Sequence, residues 1–551
     1  MALTAELTEH EQHIYTKREV VITMIGLLLI MFVGTLDQTI IVTALPRIIG
    51  DLHGFDLVTW VTTAYMVTST VTIPIYGKLS DLFGRKPILL IGIIVFLVGS
   101  MLSGTAQTMI QLIVFRALQG LGAGPLLPIA SAVVGDLFPP RERAKWMGIT
   151  SSAYGAASIA GPLLGGWLTD AASWRWIFYI NVPVGLIVLA VLIFAMPKLK
   201  VASTHVSIDY LGAGLLVLGT VPFLLGFTWA GNKYPWLSPP IIGLFGSALL
   251  FLVTFIVYEA FQENRAREPI IEPGLFKSSA RIFGVATLMS LFFGIATYGG
   301  FFFIPFFIVG VIGTSVTNTG LLLIPFMLTA IIGAVISGAM MSIFGKYKWV
   351  AIVGVLITIA GFLLLLQLNV HSTGTDVLID MLILGLGIGS GLGTYTTATQ
   401  NALPNKIGQA TAALTFFRQI GGSIGLAAMG SVMSAIYLPA FQTAVPQALQ
   451  KTVPAQIMAV FMNPNNLLAG DTFVQVRAAF ASHGAQGLAA FAQLQEAMKV
   501  ALTQGLHNVF LVCLGIMLAA FVTVWSLKEL PLRSRKQEKN EKQQPEPAPT
   551  A

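Results

Sequence analysis

Of the 24 acidic residues in this 551-residue chain, one, Asp37, stands well inside a long apolar run. A carboxylate surrounded by lipid-facing hydrocarbon costs several kcal/mol, roughly, unless it is protonated or paired, so an acid held there is a functional candidate by default. Its neutral, protonated form is the cheap one in such surroundings, which suits a proton carrier; the bland alternative is a carboxylate locked in a permanent ion pair. Arg116 stands in another apolar run at a matching depth, about two turns from the same end as Asp37. A guanidinium keeps its charge, so if the two face each other Arg116 favours release of the Asp37 proton, although an Arg bonded to backbone carbonyls is the structural reading of the same residue. Asp380, about one turn inside its own run, and Arg418, deep in a later one, are second-rank candidates for a polar cavity. Arg418 either lines that cavity or pins its helix to a neighbour.

Other chemistries lack their residues. The seven histidines lie at the ends of apolar stretches or outside them and form no ligand-spaced set, and the single cysteine, Cys513, sits inside the last apolar stretch, so neither a metal centre nor a disulfide is expected. No Gly-rich loop ending in Lys-Ser or Lys-Thr is present to hold a nucleotide, so no cofactor is expected and ATP is excluded as the direct power source. The glycines at 120, 122 and 124 and at 385, 387, 389, 391 and 393 lie within apolar stretches, with no strand before them to make a dinucleotide loop; small residues there permit close helix packing. No catalytic cluster appears at membrane depth, so the chain does not read as an enzyme.

The elements that must position these residues are membrane helices. Residues are 55% hydrophobic and only 10% charged, far below the roughly one-quarter charged residues of a soluble globule. Apolar stretches of about 20 residues recur, each able to cross a hydrocarbon core as a helix. Spans are expected near 20–43, 57–76, 87–106, 109–134, 145–168, 176–196, 209–229, 240–260, 283–309, 316–342, 348–368, 376–399, 408–438 and 504–527: fourteen helices. With both termini cytoplasmic, the inner segments hold 23 of the 31 Lys and Arg residues, the outer loops six and the membrane two, the bias that orients a polytopic protein in the cell membrane. The net charge of +7 is spent there and does not indicate nucleic acid. Segment 439–503 is one large outer loop, in which Leu488, Phe491, Leu494, Met498 and Leu502 recur at helical spacing. An amphipathic helix leading into the last span and partly covering the outer mouth is expected. Residues 531–551, rich in Lys, Gln and Pro, read as a disordered cytoplasmic tail.

An internal repeat organises the spans. Gly77-Lys-Leu-Ser-Asp81-Leu-Phe-Gly84-Arg85-Lys86 follows the second helix, and Gly338-Ala-Met-Met-Ser-Ile-Phe-Gly345-Lys-Tyr-Lys348 follows the tenth. Two six-helix halves, 20–200 and 263–530, flanking an inserted pair of helices within 201–262, place these loops equivalently, with 1–19 as a cytoplasmic N-terminus. Parallel halves around a midplane cavity are an architecture for alternating access.

These motifs carry a resemblance. Gly77-x-Leu-x-Asp81-x-x-Gly84-Arg85-Lys86 is similar to the signature loop of the major facilitator superfamily, and Arg116-Ala-Leu-Gln119-Gly120-Leu-Gly122-Ala-Gly124 resembles its second motif. Gly148 with Gly161-Pro162-Leu-Leu-Gly165-Gly166 resembles the antiporter motif, with Ala157 where that motif has another Gly. Leu36 to Pro46 and Trp174 to Gly185 resemble the fourteen-helix drug:proton antiporter branch. The resemblance implies an all-α major facilitator fold, Arg116 and Gln119 with Asp37 in proton coupling, and a cytoplasmic gate of Gly77, Asp81, Gly84, Arg85, Lys86 and Asp136. Asp81, Arg85 and Asp136 are expected to cluster, and Asp81 to cap the helix beginning near Gly408 to Thr411 through its dipole. Pro162 permits a bend, and Gly165 and Gly166 offer a smooth surface where two halves rock. The implied activity is monomeric, proton-coupled export of lipophilic, mainly cationic compounds from an aromatic and methionine-lined cavity, of the kind that confers drug resistance. The rival on the same fold is export of a defined metabolite such as an amino acid, lipid or siderophore.

Overall fold

The computed structural model describes residues 16–52, 57–197, 208–231, 233–265, 269–276, 280–313, 316–404, 406–462 and 470–532; the expectations for the extreme N-terminus and for the tail after residue 532 lie outside them. The described chain is helical. In order the long helices are α1 (Lys17–Leu52), α2 (Val58–Phe83), α3 (Arg85–Thr105), α4 (Met109–Leu137), α5 (Pro140–Ala171), α6 (Trp176–Phe194), α7 (Tyr210–Trp229) and α8 (Pro239–Asn264). They continue with α9 (Ala280–Phe301, prolonged through Ile304–Phe307 and a π-turn Ile308–Ile312), α10 (Val316–Phe344), α11 (Lys348–Leu365), α12 (Gly374–Ala402), α13 (Ile407–Ala444) and α14 (Gly484–Trp525). Short helices Gln447–Thr452, Ala455–Met462 and Gly470–Ala481 lie between α13 and α14.

Among the described residues twelve spans are long and apolar enough to cross a bilayer. The two long helices outside that set, α2 and α5, are rich in Ser, Thr and Gly. Their hydroxyls are spent on their own backbone: Thr68 donates to Ala64 O at 2.9 Å, Thr72 to Thr68 O at 2.9 Å, and Ser158 to Tyr154 O at 2.9 Å. Back-bonded hydroxyls satisfy a polar residue without water, so side-chain polarity overstates what these helices would lose in lipid. α4 breaks at Gly124-Pro125, where the ring removes a backbone donor, and resumes as Leu126–Leu137.

The first six and last six helices meet along two seams, α2 against α13 and α5 against α10. α7 and α8 pair with each other, and α7 lies over the first seam, in contact with both α2 and α13. The packing there is apolar: Val67 and Val71 of α2 meet Leu224 of α7, and Leu216 of α7 joins Phe255 of α8 and Phe416 of α13. The end of the bundle carrying the α2–α3 and α10–α11 loops is called here the loop end.

The repeated loops share more than spacing. Gly84 and Gly345 both adopt positive φ, 91° and 68°, which a side chain would strain. Lys86, at the start of α3, donates to Ile193 O and Met196 O at the end of α6, at 3.0 and 2.8 Å. Lys348, at the start of α11, donates to Trp525 O at the end of α14, at 2.8 Å. In each set of six, the third helix thus supplies a cation to the C-terminal carbonyls of the sixth, where the helix dipole favours it.

At the opposite end the structure differs from the expected loop 439–503. α13 runs to Ala444, and the last helix is one continuous rod of 42 residues, from Gly484. At 1.5 Å per residue it is about 63 Å long, twice the hydrocarbon thickness. Its projecting half carries the anticipated apolar stripe, but Phe491, Leu494, Met498 and Leu502 are buried in the same core as Tyr437 and Phe441 of α13 and Phe461 of a short helix, while Leu488 is exposed. Phe441 and Phe461 stack with centroids 6.3 Å apart, Phe461 meets Phe491 at 6.0 Å, and the Tyr437 hydroxyl donates to Phe461 O at 2.6 Å. The stripe is saturated by its own half and forms a packed collar; a cover over the mouth would need that apolar face free.

Candidate substrate and coupling site

Asp37 and Arg116 meet. Their helices α1 and α4 bring Arg116 Nη1 to 2.7 Å from Asp37 Oδ2, and both side chains are 1% exposed. Gln119, one turn beyond Arg116, accepts from Arg116 Nη1 at 2.9 Å and donates through Nε2 to Asp37 Oδ1 at 2.7 Å. Two further participants do not stand out as site residues in the sequence, although Asn181 falls within the Trp174–Gly185 motif. Asn181 of α6 donates to the same Asp37 Oδ1 at 3.0 Å, and its Nδ2 is 3.1 Å from Ser100 Oγ of α3. The Tyr65 ring of α2 lies 4.1 Å from the Arg116 guanidinium carbon, with Phe178 farther off at 5.8 Å. The carboxylate therefore accepts three donors and the guanidinium lies over an aromatic face, in a pocket without water access.

A second feature is a central cavity of about 240 Å³ between the two sets of helices. Its wall includes Tyr154, Tyr298, Phe301, Phe302 and Phe326 with Met31, Met147 and Met327, and hydroxyl and amide groups such as Gln38, Thr150 and Gln419. Asp37 does not line it, but its neighbours in sequence Gln38 and Thr39 do; Thr39 is hydrogen-bonded to Ala157 O of α5 at 3.3 Å. Arg418 lines the cavity and, among the described residues, is the one charged side chain in its wall. Asp380 is buried on α12 outside that lining, with Oδ2 unpartnered.

At the loop end Arg85 Nη1 sits 2.5 Å from Asp81 and its Nε 2.8 Å from Asp136. Asp81 also reaches the opposite half: Gly408 N and Gln409 N, at the start of α13, donate to its carboxylate at 3.2 and 2.8 Å. Gly77 packs against Ala412 of the same helix so closely that a Cβ would overlap it. Across the other seam, Arg141 at the start of α5 donates to Ser342 O and Ile343 O at the end of α10. Arg141 thus bridges the two halves, a role with no mark in the sequence, because a basic residue in an already basic loop does not stand out. Among the antiporter-motif residues, Gly148 faces the opposite half, a Cβ there lying 2.5 Å from Ala334 O of α10. Gly161 and Gly165 instead pack against Thr39, Ile40 and Thr43 of α1, and a Cβ on Gly166 would point into open space. The smooth surface expected of Gly165 and Gly166 between rocking halves is thus moved: Pro162 lies inside α5, whose loop-end part crosses α10 while its far part leans on α1 of its own half.

A helical membrane protein with a buried ion pair and a central amphipathic cavity between two helical sets is, by class, a membrane transporter. Residues 27–426 match the family model described as Major Facilitator Superfamily, and the chain belongs to that family. It is 36% identical over 538 residues to the multidrug transporter protein MdtP of Bacillus subtilis strain 168, covering 95% of each chain. It is 38% identical over 422 residues to multidrug resistance protein 3 of the same organism, covering 75% of this chain and 80% of the relative. The fold resembles that of the human organic anion transporter MFSD10, with a TM-score of 0.58 at 15% identity over 92% of this chain and 99% of the other. It likewise resembles the proton:xylose symporter XylE, with a TM-score of 0.58 at 12% identity over 96% of this chain and 100% of the other.

Proposed function

We propose that this chain is a proton-coupled secondary antiporter that exports lipophilic small molecules, with both termini and the loop end cytoplasmic and with six-helix halves flanking the α7–α8 pair. The observation that carries the coupling is the Asp37–Arg116–Gln119 triad, held dry beside a cavity walled by aromatic rings and methionines. A proton arriving on Asp37 neutralises the carboxylate; Arg116 then keeps the Gln119 carbonyl and the Tyr65 ring as partners, so the cation is not stranded. The loss of that pair loosens α1 from α4, and α1 carries Gln38 and Thr39 in the cavity wall. Proton and substrate thus act on one helix without touching. The loop-end latches of Asp81 and Arg141 hold the cytoplasmic side shut in this state. The names of the relatives support drug export over export of one defined metabolite.

The expected preference for cations requires a carboxylate facing the substrate. Asp37 is already neutralised by Arg116 and does not line the cavity, so that preference has no support in the wall. Inverted vesicles with an imposed pH gradient test the function. Several unrelated lipophilic compounds should each collapse the gradient, and Asp37→Asn vesicles should ignore them all. A response to one compound only would favour the metabolite exporter, and no difference between wild type and Asp37→Asn would reject the coupling assignment.

A further inference from the structure

We propose that Arg418 is an anion-recognition group of the central cavity, and that lipophilic organic anions, carboxylates foremost, are a substrate class of this transporter. The inference rests on the reading of that cavity as the substrate site. Arg418 is partly exposed and lines the cavity, where no other charged side chain stands among the described residues. Among the described residues it has no carboxylate partner and no hydrogen bond to a backbone carbonyl, so it is neither half of a structural ion pair nor a pin between helices. The two acids at comparable depth do not compensate it: Asp37 is consumed by Arg116, and Asp380 lies outside the wall. An uncompensated guanidinium at membrane depth is expensive. A ligand carrying the missing negative charge recovers that cost, and a cation in the same space is repelled more strongly than it would be in water.

The neighbouring groups suit a carboxylate. Gln419 accepts the Tyr298 hydroxyl on Oε1 at 3.3 Å, which leaves its amide N–H groups as donors next in sequence to a guanidinium able to grip a carboxylate with two parallel hydrogen bonds. Phe301, Phe302, Phe326 and Met327 in the same wall would receive the apolar body.

Three probes with one apolar body and different heads test this: pyrenebutyrate, pyrenebutanol and a pyrenebutyl-trimethylammonium salt. Each is titrated against the full chain in detergent micelles without any gradient, with protein-free micelles subtracted, so that proton coupling plays no part. Wild type should bind pyrenebutyrate about tenfold or more tighter than the ammonium probe, the scale of one charge-assisted contact. Arg418→Gln should lose that preference while binding pyrenebutanol as wild type does, which also reports an intact cavity; Arg418→Lys, which keeps the charge without the fork, should retain part of it. Equal binding of the three heads by wild type, or an unchanged preference in Arg418→Gln, overturns the proposal alone. Failure of pyrenebutanol to bind wild type overturns the substrate-site reading of the cavity and this inference with it. Phosphatidylglycerol added to the micelles separates the sources of such an anion: displacement of pyrenebutyrate would make Arg418 a lipid-headgroup site and overturn the substrate assignment, and no displacement supports it.

Discussion

At Asp37 the chemistry is set by what surrounds one carboxylate. Three donors, the Arg116 guanidinium among them, hold the carboxylate, and the Gln119 carbonyl and the Tyr65 ring give Arg116 partners that do not depend on it. Asp37→Asn should abolish gradient-driven export, because an amide cannot carry the proton. It should also lower the unfolding temperature, at a cost below the roughly 3–5 kcal/mol of an abandoned buried charge, since Arg116 keeps the Gln119 carbonyl and the Tyr65 ring; thermal unfolding of the purified variant checks this apart from transport. Asp37→Glu keeps a titratable group at altered reach and should retain partial export in the vesicle assay. Wild-type rate and pH dependence in Asp37→Asn would reduce Asp37 to a structural partner of Arg116.

The helices matter through their ends and their close approaches. Asp81 serves as a cap across the molecule, accepting from two N–H groups of α13 while Arg85 holds it in place. Asp81→Asn should leave the protein folded and slow transport, because the charge that meets the helix dipole is gone; wild-type transport at equal expression would remove the gating role. Gly148→Val is a sharper test of the α5–α10 seam, since the new side chain meets the Ala334 carbonyl, which is backbone and cannot swing aside. It should block closure of the loop end and abolish export while substrate binding persists. A third end is tied by the segment after α14. Glu529 accepts from Tyr347 N and Lys348 N, each at 3.0 Å, and so caps α11, while Tyr347 donates to Lys528 O at 2.6 Å. Burial pushes the Tyr347 hydroxyl above its ordinary pKa, so it keeps its proton and keeps donating. Glu529→Ala should cost about 1–2 kcal/mol, the range of a lost cap, read as a lower unfolding temperature.

Across the whole molecule the two seams are unequal: α7 covers the junction of α2 with α13, and the α5–α10 junction carries no such cover from α7 or α8. The collar is a second asymmetry, because it continues the hydrophobic core of the last six helices into the segment between α13 and α14. Phe461 stands at its centre, 1% exposed, stacked on Phe441 and edge-on to Phe491. Phe461→Ala should therefore destabilise the protein by about 3–5 kcal/mol, visible in thermal unfolding. If the unfolding temperature is unchanged, the collar is loosely attached and the mouth-covering role expected for its helix returns as an alternative.

Much of this was legible in the chain itself. Long apolar runs could only be helices, because a backbone in lipid must satisfy its own hydrogen bonds, and the long helices follow those runs. Asp37 and Arg116 stood out because charge is rare and costly at that depth, and their matching depths anticipated that they could face each other. The place of Asp81 at the start of α13 was implied by the family resemblance of its loop together with the helix dipole. Only the tertiary structure decided what lay beside them. Tyr65 and Asn181, the latter inside the Trp174–Gly185 motif but with no role written in it, become partners of the ion pair because α2 and α6 pack there, and Ser100 of α3 lies behind Asn181. The sequence left Arg418 between lining a cavity and pinning a helix; the fold turns that face of α13 toward the cavity, with no carboxylate in its wall among the described residues. Depth along a helix is written in residue order, whereas the direction a side chain faces depends on which helices pack together, and that is a property of the assembled bundle.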